Sequence, residues 1–183
     1  MSGRESPGEA GGARGDPSPG STGEERRGPI SARISQAASE GQRVGIALGA
    51  FGLIHAGTIR FLDTARAACD RLFVAVLAQT PPSAGVCGNS TNLLRPEERV
   101  RILNLLRETD GAELVAPGGA ALEEWRRAAP RAVWMISTAE NDVDDSTIAR
   151  LQELGATVKA IPGEGACSTR SLLARIQRRK DGT

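Results

Sequence analysis

The sequence predicts an α/β domain, a Rossmann-like three-layer sandwich around a five-stranded parallel sheet. Two observations carry this expectation. Five short, nearly continuous apolar runs of buried-strand type recur along the chain, and segments with helical spacing of apolar residues separate them. Alternation of this kind places helices on both faces of a parallel sheet.

Each element has its own justification. Residues 30–40 form an amphipathic helix that Gly41 stops. The run 43–48 is a compact apolar strand, and 57–69 carries Ile59, Leu62, Ala65 and Ala68 at helical spacing. Residues 72–78 are a second continuous strand, followed by a polar loop over 79–94 with Pro81 and Pro82. The stretch 95–108 is helical, with Val100, Leu103 and Leu106 on one side and Pro96 where a first turn accepts it. The rhythm then continues with a strand over 112–116, a helix over 120–129 and a strand over 132–136. A helix over 145–154, a strand over 157–161 and a last helix over 168–179 complete it.

Residues 1–28 contain eight glycines, Pro7, Pro17 and Pro19, and no Val, Ile, Leu, Phe or Trp. Such a stretch buries too little apolar surface to offset its ordering entropy, so a disordered tail is expected there and one folded domain over 30–180.

Composition removes several function classes. With 23 Lys+Arg against 22 Asp+Glu, the charge balance gives no general attraction to nucleic acid or an anionic membrane. The aromatics are Phe51, Phe61, Phe73, Trp125 and Trp134, too few for a base-stacking platform. His55 is the single histidine, so a metal site with two His ligands from one chain is excluded. Cys69, Cys87 and Cys167 are far apart and form no CxxC pair, so neither a zinc knuckle nor a disulfide framework is expected. No run approaches a membrane span and no apolar signal core opens the chain, so a cytoplasmic location is expected. Asn89-Ser90-Thr91 matches a glycosylation sequon but reads as polar loop without a secretory signal.

In a parallel sheet, ligands sit beyond the carboxyl ends of the strands near the switch in strand order. The loop 49–58 follows the first strand and holds Gly49, Gly52 and Gly57, which let backbone approach a ligand. The helix that follows aims its amides at that loop, and His55 on its first turn is suited to donate to a phosphate oxygen. The loop after the last strand ends in Ser168-Thr169-Arg170, two hydroxyls and a guanidinium at a helix start. Capping by Ser168 or Thr169 is compatible with that role. Gly163-x-Gly165-x-x-Ser168 lacks the strand and acidic residue a dinucleotide fingerprint needs, and no P-loop is present. The acidic run Glu140, Asp142, Asp144 and Asp145 reads as a solvated loop favouring the next helix N-terminus rather than a metal site. Arg175, Arg178, Arg179 and Lys180 suit the end of the last helix and are not read as a nucleic-acid contact.

The run GAFGLIHAGTIRFLDTARAACDRLFVAV resembles the start of the cytidylyltransferase-like nucleotidyltransferases, whose hallmark is G-x-F-D-x-x-H-x-G-H. The similarity extends through Arg95-Pro96-Glu97-Glu98-Arg99 to Gly165-Ala-Cys-Ser-Thr-Arg170. Within that family the chain is similar to the adenylyltransferase domain of ADP-heptose synthases and to glycerol-3-phosphate cytidylyltransferases. The resemblance implies transfer of a nucleotidyl group from ATP, or CTP, to a sugar phosphate or small alcohol phosphate, with release of pyrophosphate and usually with Mg²⁺. It implies a catalytic part for His55 and Thr58. It also implies nucleotide or phosphate contacts from Gly49, Ala50, Phe51, Gly57, Ser168, Thr169 and Arg170, and allows a homodimer. Three positions depart from the pattern: Thr58 stands for the second His, Gly52 for the Asp, and the segment around Met135-Ile136-Ser137-Thr138 for a Lys-Gly-Gly-Asp. An active divergent enzyme, a non-catalytic nucleotide-binding relative and a scaffold with an emptied cleft are therefore the competing functions.

Overall fold

Helices and strands alternate along the chain as the apolar pattern requires. The computed structural model describes residues 28–78, 93–140, 142–163 and 168–181. In order they are α1 Ile30–Ser39, β1 Val44–Gly49, α2 Ala56–Ala67, β2 Arg71–Leu77, α3 Pro96–Leu105 and β3 Gly111–Val115. Then follow α4 Ala120–Ala128, β4 Val133–Ser137, α5 Asp145–Glu153, β5 Thr157–Ile161 and α6 Thr169–Asp181. All but Gly28 of the tail expected over 1–28, most of the 79–94 loop with its sequon, Cys87 and Cys167 lie outside the described residues.

Each expected element forms, with boundaries shifted by a few residues. The largest shift is α3, expected to reach 108 and ending at Leu105. The Thr109 hydroxyl donates to the Leu103 carbonyl at 2.6 Å and takes the acceptor that the next helical amide would need.

The five strands are all parallel, in the order β3-β2-β1-β4-β5. Strand parity sorts the core into two layers. Ile46, Leu48, Phe73, Ala75, Leu77 and Trp134 face α1, α4 and α5, meeting Ile34, Leu122, Trp125 and Leu151. Ala47, Leu72, Val74, Val76 and Met135 face the other way, onto Phe61, Leu62 and Ala65 of α2 and Leu103 of α3. The three-layer sandwich is therefore observed. The buried-strand reading holds for the inner strands and fails at the edges. Thr157, Lys159 and Ala160 of β5 and Glu113 and Leu114 of β3 are exposed, because an edge strand has a neighbour on one side only.

At the amino ends of the strands one carboxylate gathers the chain. Asp110 accepts from Arg66 Nη1, Arg71 Nη1 and the Leu72 amide at 2.8–2.9 Å, while Arg33 donates to its carbonyl.

Candidate functional site

The chain runs β1, β2, β3 toward one edge and then crosses back, so that β4 lies on the other side of β1. This switch leaves a crevice at the carboxyl ends of β1 and β4. The connections after β1, β4 and β5 line a cavity there, including Gly49, Phe51, Gly57, Thr58, Glu140, Asp142 and Thr169. The two loops expected to meet a ligand, after β1 and after β5, therefore come together, and the connection after β4 joins them. The loop after β2 lies largely outside the described residues.

His55 is the N-cap of α2. Its Nδ1 accepts the Thr58 amide at 3.2 Å, and the Thr58 hydroxyl accepts the His55 amide at 3.4 Å, which closes a reciprocal cap. A nitrogen that accepts an amide proton carries none itself, so the ring proton sits on Nε2. Nε2 lies 2.9 Å from Glu140 Oε1 and 3.2 Å from Thr169 Oγ1. The Thr169 amide, in the first turn of α6, donates to the same Glu140 oxygen at 3.2 Å. Two helix N-termini, from segments 114 positions apart, thus converge on one carboxylate. The His55 side chain is 7% exposed and that of Glu140 is 23% exposed.

Thr58 lines the cavity, but its hydroxyl already donates to the Leu53 carbonyl at 3.3 Å. Ser168 precedes α6 and caps it: its Oγ accepts the Ser171 amide at 3.2 Å, and Ser171 Oγ accepts the Ser168 amide at 3.0 Å. Thr169 faces the cavity, whereas Arg170 is exposed on the first turn of α6 and is not among the lining residues.

The loop after β1 is gripped from two sides. Asp142 Oδ2 accepts the amides of Ala50 at 2.7 Å and Phe51 at 3.4 Å. A Cβ on Gly49 would stand 3.3 Å from that oxygen, a close approach that glycine makes easy. From below, the buried Arg99 donates to the carbonyls of Ala50, Leu77 and Ala78. Between these holds Phe51 adopts φ 53°, left-handed backbone that a bulky side chain rarely takes, with its ring packed on Phe61 at 6.3 Å. Burial raises the Asp142 carboxyl above its ordinary range, the Ala50 amide opposes this, and the neighbouring Glu140 charge adds to it. Burial also lowers the Arg99 guanidinium, against the opposing pull of Glu97 and Asp142.

The acidic run therefore divides. Asp144 behaves as expected, its Oδ1 accepting the Thr147 amide at 2.6 Å at the start of α5. Glu140 and Asp142, expected to be solvated, turn into the cleft instead, where they accept from His55 Nε2 and from the Thr169, Ala50 and Phe51 amides. Arg99 was also not singled out by the sequence as a site residue. Its only sequence signal is a place in the run shared with the resembled family.

Among the described residues no three His, Cys, Asp or Glu side chains gather as metal ligands. The cleft carboxylates already spend oxygens on N–H donors, so the described residues offer no ready cage for the Mg²⁺ implied by resemblance. Cys69 is buried away from the cleft, with its thiol pushed up to about 11 by burial, and is no nucleophile at neutral pH. No helix among the described residues is long and apolar enough to cross a membrane.

What the cleft offers is a convergent set of N–H donors, His55 Nε2 and the Thr169 amide at the start of α6. Such a set binds anions.

Comparison with known proteins agrees with this geometry. The bifunctional protein HldE of Bradyrhizobium sp. (strain ORS 278) is 35% identical over 86 residues, covering 47% of this chain and 17% of that protein. The bifunctional protein HldE of Pasteurella multocida is 24% identical over 160 residues, covering 81% of this chain and 30% of its own length. The chain thus spans less than a third of these curated relatives. A lipopolysaccharide core biosynthesis protein from Thermoplasma volcanium shares the fold, with TM-score 0.50 and 20% identity over 67% of this chain and 97% of that one. The cytidylyltransferase-like family model matches residues 46–165, from β1 into the connection after β5. The chain belongs to the cytidylyltransferase-like family, which is of nucleotidyltransferase type.

Proposed function

We propose that this domain transfers a nucleotidyl group from ATP, or CTP, to a sugar phosphate or small alcohol phosphate. An acceptor phosphate oxygen attacks the α-phosphorus, the bond to the bridging oxygen breaks, and pyrophosphate leaves. The observation that carries the reading is the meeting of His55 and Thr169 at 3.2 Å, where α2 and α6 begin at the strand switch. Two helix N-termini and a neutral-ring N–H aimed at one point suit the developing charge of a phosphoryl group in transfer.

In this reading His55 Nε2–H and the Thr169 amide and hydroxyl hold phosphate oxygens. Gly49 and Gly57 admit the nucleotide to the backbone, with Ala50 and Phe51 shaping the loop beneath it. Thr58 fixes the His55 ring, Ser168 sets the start of α6, and Arg170 stands where an outer phosphate would pass. Mg²⁺, when bound, would neutralise phosphate charge, and it would arrive on the nucleotide rather than in a cage of side chains. Incubation with Mg²⁺, each NTP and a panel of phosphorylated acceptors should release pyrophosphate. Absence of release where a homologous enzyme turns over refutes turnover.

A second reading, a nucleotide-binding relative without turnover, draws on one specific observation. The Thr58 hydroxyl, at the second His position of the motif, is committed to Leu53 and cannot supply a cation. That reading predicts nucleotide binding by calorimetry with no pyrophosphate, and no activity from Thr58→His alone.

A further inference from the structure

We propose that Glu140 is a built-in competitor for nucleotide phosphate, an internal anion that occupies the phosphate donors of the cleft until it swings out. The inference rests on the nucleotide reading above and concerns how that ligand gains entry.

One Glu140 oxygen takes the His55 Nε2 proton at 2.9 Å and the Thr169 amide at 3.2 Å. These are the donors a phosphate oxygen would need, and both cannot be served at once. With Glu140 in place both ring nitrogens of His55 are engaged, so the ring has no proton left for a ligand. A phosphate arriving beside the carboxylate also meets a like charge at contact distance. The segment that carries Glu140 supplies no Lys or Arg among its described residues, and the carboxylate faces the neutral His55 ring as a hydrogen-bond acceptor.

Glu140 also has somewhere to go. Its side chain keeps part of its surface in water, and it grips side-chain and amide groups across the crevice rather than its own loop. Asp142 differs: it is held against the Ala50 and Phe51 amides beneath the loop and serves as a fixed support. The two carboxylates therefore divide the work, one holding the loop and one closing the crevice.

A ligand that binds only the open form has its affinity reduced by the fraction of open molecules. A purely structural Glu140 predicts the opposite sign, since its loss would loosen α2 against α6 and weaken binding.

Calorimetric titration of the full chain with ATP, and separately with inorganic pyrophosphate, decides between them, using wild type, Glu140→Gln and Glu140→Ala. The Ala variant should bind both probes about tenfold tighter or more. The Gln variant, which keeps an acceptor oxygen but not the charge, should gain less. Equal or weaker binding by the variants, with wild type binding normally, overturns the competitor and leaves the nucleotide reading standing. No binding of either probe by any of the three overturns both. Circular dichroism establishes that the variants fold, and if Glu140→Ala does not, Glu140→Gln decides alone.

Discussion

Arg99 and Asp142 hold the same residue, Ala50, by its two backbone groups. The guanidinium donates to the Ala50 carbonyl, and the carboxylate accepts the Ala50 amide at 2.7 Å. The two charges are joined through the backbone of one residue, and the buried Arg99 Nε has no partner among the described residues. This double hold supports the left-handed Phe51, whose strained conformation costs about 1–3 kcal/mol. Asp142 thus gives the loop after β1 an acceptor that organises it.

Arg99→Met should therefore cost stability well beyond lost packing. Three carbonyls at the ends of β1 and β2 lose their donor in a dry site, and about 3 kcal/mol is expected. Urea unfolding followed by circular dichroism measures it. Arg99→Lys should recover only part, since one ammonium cannot reproduce the fork.

Asp142 should leave a mark on the pH dependence of stability. Its carboxyl is raised in the folded chain by burial, so between the unfolded and folded values the native state binds the extra proton. Stability from this group is greatest at acid pH and declines as pH rises from about 4 through the raised value. Asp142→Asn keeps an acceptor for the Ala50 amide and cannot titrate. The difference between wild-type and variant urea midpoints should therefore grow in the variant's favour from pH 3.5 to 7. A flat difference contradicts the raised carboxyl.

His55 serves two roles that one substitution separates. Asn also caps helices, so His55→Asn should keep α2 within about 1 kcal/mol of wild type. Its amide cannot reach where Nε2 stands, and pyrophosphate release should fall by about 10²–10³. Chemical unfolding and a pyrophosphate assay on the same preparation make the comparison.

Gly163 lies where β5 leaves the sheet, and its amide donates to Thr138 Oγ1 at 3.4 Å. A Cβ there would overlap the Ala139 side chain and stand 3.2 Å from the Ala139 amide nitrogen. Gly163→Ala must push back the turn that carries Glu140. A loss of about 1–3 kcal/mol is expected, read as a lower urea midpoint.

The fold was legible in the sequence because its signals are local. The apolar runs of β1 and β2, the periodic face of α2 and Pro96 at the start of α3 each report on their own segment. The same holds for His55 and Thr169, which sit at helix starts that can be recognised without knowing what lies opposite. Glu140, Asp142 and Arg99 were not legible as site residues. Their partners lie 85, 92 and 49 positions away. An acidic run reads as solvated until the sheet order brings it against the amide-rich loop. For β3 and β5 the error was of the same kind, since apolar composition cannot say which strand becomes an edge.

The Asp110 junction gives the domain a mechanical asymmetry. Ties from Arg33, Arg66, Arg71 and the Leu72 amide all fasten the amino ends of the strands. At the opposite end the crevice is closed by contacts such as that of the partly solvated Glu140. The Glu140 contact can therefore open without disturbing the Asp110 end. Hydrogen exchange should show this directly, with the Leu72 amide among the slowest to exchange and the Thr169 amide released at far lower cost.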